Sequence, residues 1–194
     1  PILVKQALVD ALQQRGYETL TPVQEACTEA NLEGADLLVS AQTGSGKTVG
    51  FGLAIAPTLL GAEDAFATAS GMAAVSGALT SMLKAGDHVV SSRALFGSCL
   101  YVLEDVLTRF GVEVTFVDGT DLAQWEGAIR EDTRAVFFES VANPTLEVID
   151  IEAVSKLAHA QGALVVIDNV FATPVFSRAI AQGADVVIYS ATKH

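Results

Sequence analysis

The sequence predicts an α/β fold of three layers, αβα, built on a doubly wound, mainly parallel sheet of about seven strands. One observation is rhythm: apolar strand candidates recur at 64–69, 87–92, 112–118, 134–140, 163–169 and 185–190, most of them separated by helical stretches. The other is composition. Hydrophobic residues make up 51% of the chain and aromatics only 7%, so Ala, Val and Gly dominate, which suits strands buried on both faces under small-residue helices. With 194 residues there is enough chain for a sizeable core, and the expectation is one domain over 1–194.

Taken in order, residues 3 to 15 carry apolar side chains at helical spacing. The stretch from Gly16 to Pro22 breaks that pattern, and a second helix opens near Val23. Asp36 to Ser40 reads as a short buried strand, a glycine-rich loop follows, and a helix is expected over 47–60. From Glu63 onward βα alternation takes over. Right-handed crossovers would gather the loops that follow the strands along one edge, where a ligand belongs. Strand 36–40 is expected to enter the sheet between strands 64–69 and 185–190.

A formal charge of −12, with eleven Lys and Arg, leaves no basic stripe to replace the counterions of a nucleic-acid backbone. The longest apolar run, Val49 to Leu60, is too short for a membrane span and contains Pro57. Cys27 and Cys99 stand alone, without metal or disulfide spacing. These features imply no nucleic-acid or membrane partner and cytoplasmic localisation on recombinant expression. A homodimer stays open, through apolar surface that a second copy would cover.

Residues 41 to 48 read Ala-Gln-Thr-Gly-Ser-Gly-Lys-Thr. A P-loop of this kind turns backbone N–H groups inward on phosphate oxygens, with Thr43, Gly44, Ser45 and Gly46 forming the turn, Lys47 adding charge and Thr48 offering its hydroxyl to Mg²⁺. Upstream, Gly16 to Gln24 reads Gly-Tyr-Glu-Thr-Leu-Thr-Pro-Val-Gln. On these two motifs residues 1 to about 60 resemble a DEAD-box RNA helicase, a resemblance that implies ATP binding with Gln24 on the adenine edge. Nothing later matches the acidic motif that would hold Mg²⁺, so hydrolysis is not expected.

The second constellation lies beyond residue 60. Ser70-Gly71-Met72 opens a helix directly after a strand, which offers N–H groups to a phosphate. Arg93 to Ser98 contains Phe96, Glu139 to Pro144 reads Glu-Ser-Val-Ala-Asn-Pro, Asp168 closes a strand, and Ser190-Ala191-Thr192-Lys193-His194 follows another. Residues 61 to 194 thereby resemble the large domain of fold-type-I pyridoxal-phosphate enzymes of Cys/Met metabolism, nearest the O-succinylhomoserine sulfhydrylases. The resemblance implies Lys193 as the catalytic Schiff-base amine, Asp168 at the pyridinium nitrogen and Phe96 stacking on the ring. It also implies Asn143 at the ring hydroxyl, and Ser70, Gly71, Met72, Ser190 and Thr192 around the cofactor and its phosphate.

Together the motifs lead to the expectation of a chimera: an engineered or recombined scaffold, without native turnover, that keeps at most phosphate, nucleotide or pyridoxal-phosphate binding. The expected ligand is a small anion or none, with pyridoxal phosphate or ATP and Mg²⁺ as the alternatives. The competing readings are a residual sulfhydrylase or lyase acting on O-acyl-homoserine or sulfur amino acids, and an ATP-binding module without hydrolysis.

Overall fold

A computed structural model describes residues 13, 14, 16, 19–26, 66, 68–190, 192 and 193. The chain divides into two compact units, residues 1–66 and 67–194. In the first, helix α1 spans Pro22–Ala26, close to the predicted start, and Gly16 at φ 77° marks the break before it. The predicted strand 36–40, the P-loop 41–48 and helix 47–60 lie outside the described residues. So does most of strand 64–69, of which Phe66, Thr68 and Ala69 show no strand.

The second unit alternates as predicted. Helix α2 (Gly71–Met82), strand β1 (His88–Ser92), helix α3 (Gly97–Tyr101, continuing as a π-helical turn to Leu107) and strand β2 (Glu113–Val117) come first. Helix α4 (Leu122–Ala128), strand β3 (Thr133–Glu139), helix α5 (Ile151–Ala160) and strand β4 (Leu164–Asp168) follow. Short helix α6 (Thr173–Phe176), a 3₁₀ turn at Ala179–Gln182 and strand β5 (Val186–Ile188) complete it. The helices begin where short polar side chains cap them: Ser70, Asp121 and Asp150 each accept a backbone N–H from the first turn.

Among the described residues the sheet has five strands in the order β2-β1-β3-β4-β5, and every pairing is parallel. Neighbouring residues on a strand point to opposite faces, and both faces are buried. On one face Val90, Val136, Phe138, Val165 and Ile167 pack with Trp125 of α4 and Val154 and Ala158 of α5. On the other, Val89, Ala135, Phe137 and Val166 meet Val75 and Leu79 of α2 and the buried side of α3. This is the predicted three-layer arrangement, and it explains why the strands read as continuous apolar runs.

The chain leaves β1 to form β2 on one side and returns as β3 on the other, so the order reverses between β1 and β3. Loops leaving those two strands diverge on the carboxyl edge of the sheet, the usual ligand site of an open α/β fold.

Candidate active site

Of the predicted positions after residue 60, Ser70, Gly71, Met72 and Phe96 sit where a helix begins, Asp168 ends a strand, and Asn143, Ser190, Thr192 and Lys193 lie in the segments that follow β3 and β5. Ser70 caps α2, its Oγ accepting the Ala73 N–H at 3.1 Å. Gly71 beside it has no room for a side chain, since a Cβ there would lie 2.9 Å from Ser190 Cβ and 3.1 Å from Ser190 Oγ. Thus the N-terminus of α2 and the segment after β5 meet through backbone at one end and hydroxyl at the other. The Ser190 and Thr192 hydroxyls are 2.8 Å apart, and the Lys193 N–H donates to the Ser190 carbonyl at 3.0 Å. Lys193 is exposed.

Asp168 ends β4. Its Oδ1 accepts the Val170 N–H at 3.0 Å, and its Oδ2 lies 3.9 Å from the buried thiol of Cys99, which itself lies 3.9 Å from Met72 Sδ. Burial pushes the Asp168 carboxyl above its ordinary range, against the smaller opposing effect of the Val170 hydrogen bond. Phe96 precedes the first residue of α3 and is 45% exposed, so its ring does not fill the core.

Two buried groups received no role in the sequence reading, although Glu139 opens the Glu-Ser-Val-Ala-Asn-Pro segment. Glu139, the last residue of β3, takes the Phe96 N–H on Oε1 at 2.6 Å and the Asn143 N–H on Oε2 at 2.8 Å. Asn169 accepts from Ser140 Oγ at 2.6 Å and donates to Tyr189 Oη at 2.8 Å, tying together the segments after β3, β4 and β5. The advance signals were that motif for Glu139 and, for Asn169, an amide at the end of an apolar strand. The partners named lie 43 and 4 residues from Glu139 and 29 and 20 residues from Asn169.

Ligand atoms of Cys99, Glu139 and Asp168 fall within 4.8 Å of one another. Burial drives the Cys99 thiol far above its usual range, and the Asp168 and Glu139 carboxylates act in the same direction.

A family model of Cys/Met metabolism PLP-dependent enzymes matches residues 23–194. The chain belongs to that family. It is similar to the O-succinylhomoserine sulfhydrylase of Mycobacterium tuberculosis, 57% identical over 134 residues, which are 69% of this chain and 33% of that one. It is also similar to the L-methionine gamma-lyase of Fusobacterium nucleatum, 48% identical over 133 residues, covering 68% and 34% of the two chains. Among solved structures it resembles one described as an O-acetylhomoserine (thiol)-lyase from Campylobacter jejuni, with pyridoxyl-lysine monophosphate in place. The TM-score is 0.61 at 35% identity, covering 63% of this chain and 30% of that one. The chain spans about a third of the length of the curated relatives it matches.

These findings correct the two-origin reading. One Cys/Met-metabolism model runs from residue 23 through the glycine-rich segment to residue 194, so the helicase assignment falls. With it fall the chimeric scaffold, the expected inactivity, and the ATP and Mg²⁺ roles given to Gln24, Thr43, Gly44, Ser45, Gly46, Lys47 and Thr48. The physical reason is that a glycine-rich turn between strand and helix is a general anion device, which does not identify its parent. Residues 43–48 lie outside the described residues, but Gln24 does not. It is buried, and its side-chain oxygen accepts the Thr21 N–H at 2.9 Å. Thr21, Pro22 and Gln24 occupy N-cap, N1 and N3 of α1, so this contact is half of a capping box, and the residue closes a helix start. Among the described residues no helix is long and apolar enough to cross a membrane.

Proposed function

We propose that this chain carries the cofactor-binding domain of a pyridoxal-phosphate enzyme acting on O-acyl-homoserine or a related sulfur amino acid, by sulfhydrylation or elimination. The relatives' names, two sulfhydrylase or thiol-lyase types and a gamma-lyase, support that substrate class. The observation that carries the reading is the donor set on one sheet edge. A desolvated carboxylate ends β4, an exposed aromatic follows β1, and a cup walled by Gly71 and Ser190 sits at the N-terminus of α2.

Pyridoxal phosphate fits that set. Ser190, Thr192 and the first N–H groups of α2 would hold the phosphate, which the helix dipole also favours. The tight Gly71 to Ser190 approach supports this, because any side chain at 71 would fill the cup. Asp168 would hold a proton on the ring nitrogen, Phe96 would stack on the ring, Asn143 would meet the ring hydroxyl and Lys193 would supply the amine of attachment. When bound, the cofactor supplies an electron sink for bonds broken at the substrate's Cα and beyond. Phe96 has no phenol, so it orients the ring without moving a proton.

Titration with pyridoxal phosphate tests this directly. The wild-type protein is expected to develop a visible absorbance band that Lys193→Ala abolishes, followed by sulfide-dependent turnover of an O-acyl-homoserine or release of a thiol from a sulfur amino acid. A protein that stays colourless at saturating cofactor overturns the reading.

A further inference from the structure

Glu139 is 4% exposed, and among the described residues no Lys, Arg or His forms an ion pair with it. An ionised carboxylate in such a place is costly unless other donors compensate it. Here the donors are backbone. One oxygen receives the N–H of Phe96, on the loop after β1, and the other receives the N–H of Asn143, on the loop after β3. Those strands flank the point where the sheet order reverses, and beyond their ends no ladder joins the diverging loops.

We propose that Glu139 is a positioning residue that fixes two cofactor-facing groups at once, the Phe96 ring and the Asn143 side chain, by stapling their backbones to the end of β3. The proposal rests on the cofactor reading above. A neutral Gln could not replace it: its single oxygen would serve one N–H, and its amide would confront the other donor with a second donor. Burial, together with the nearby Asp168 carboxylate, raises the Glu139 pKa, and the two N–H groups, one on each oxygen, oppose that rise. Glu139 touches neither reacting atoms nor cofactor in this scheme; it acts through its two neighbours.

The test compares wild type, E139Q, F96A and the double variant in two measurements. In cofactor-free protein, amide hydrogen exchange at residues 96 and 143 should accelerate about tenfold in E139Q while amides of β3 and β4 stay protected. On titration with pyridoxal phosphate, E139Q should bind about tenfold more weakly and show an altered visible circular dichroism band. The loss should shrink in the F96A background, because the carboxylate acts partly through that residue. If wild type takes up cofactor and E139Q matches it in affinity and dichroism, the positioning role alone is overturned, whatever the exchange rates. A wild-type protein that takes up none overturns the cofactor reading and this role together. Should E139Q not fold, E139D keeps the charge but withdraws it by one methylene, and carries the same two readouts.

Discussion

Ser155 lies buried on α5, and its hydroxyl has no hydrogen-bond partner among the described residues. A lone buried hydroxyl costs about 1–3 kcal/mol in lost hydration, so Ser155→Ala should stabilise the protein by roughly 1 kcal/mol. For a chain this size that is a rise in melting temperature of about 2–4 °C, measurable by calorimetry. An unchanged or lower melting temperature would mean that the hydroxyl has a partner. Asp168 presents the same conflict at the site. Because burial raises its pKa above the ordinary 3.8 in the folded state, the folded protein holds a proton that the unfolded chain releases. Its contribution to stability is therefore greatest when protonated and is lost as pH rises through the interval from about 3.8 to the raised value. Asp168→Asn removes that loss. The cofactor-free variant should melt higher than wild type at pH 7, the difference closing as pH falls toward 4, while its affinity for pyridoxal phosphate drops. A variant that melts lower than wild type at neutral pH would show that the ionised carboxylate is well compensated by Val170 and Cys99.

At the scale of elements, His88 at the start of β1 ties three strands together. Its Nδ1 lies 2.8 Å from Thr133 Oγ1 on β3 and its Nε2 2.9 Å from Thr115 Oγ1 on β2. Burial, helped by the positive charge of Arg130, lowers its pKa below the ordinary 6.5, so the neutral ring belongs to the folded state. That contribution is complete above 6.5 and is lost as pH falls through 6.5 toward the lowered value. Urea midpoints should therefore drop between pH 7.5 and 5.5 more in wild type than in His88→Gln; parallel pH profiles would remove His88 from the account. The strand holding His88 was legible in advance because burial on both faces writes an unbroken apolar run, and β1 to β5 fall within about two residues of the predicted bounds. The site was legible only where chemistry repeats as a local string, as in Ser70-Gly71-Met72 or Ser190 to Lys193. Cys99 and Asn169 carry no such string, and the one that Glu139 opens does not tell what its carboxylate holds. Their roles depend on partners that β1, β3 and β4 bring together from tens of residues away, and pairing order is not written in any single strand.

For the whole molecule, the misleading feature was a backbone device. Eight residues spelling a phosphate loop outweighed the longer pattern around them, although both readings placed an anion at a helix N-terminus, and it is the family match over 23–194 that separates them. The anion itself gives the remaining prediction. The chain's net charge of −12 surrounds a site meant for a phosphate ester of charge about −1.5 to −2. At 10 mM ionic strength the Debye length is about 30 Å, and an approaching cofactor feels the acidic surface as a whole. The favourable groups, Ser190, Thr192 and the N–H groups of α2, are neutral dipoles whose reach ends within about a turn of helix. Repulsion therefore governs the encounter and attraction only the bound state. Raising NaCl to 150 mM contracts the Debye length to about 8 Å, and the rate of pyridoxal phosphate uptake should then increase about two- to fivefold. Stopped-flow absorbance in a non-phosphate buffer measures this. A rate that falls with salt would show instead that local positive charge, Lys193 foremost, steers the cofactor in against the field of the rest of the chain.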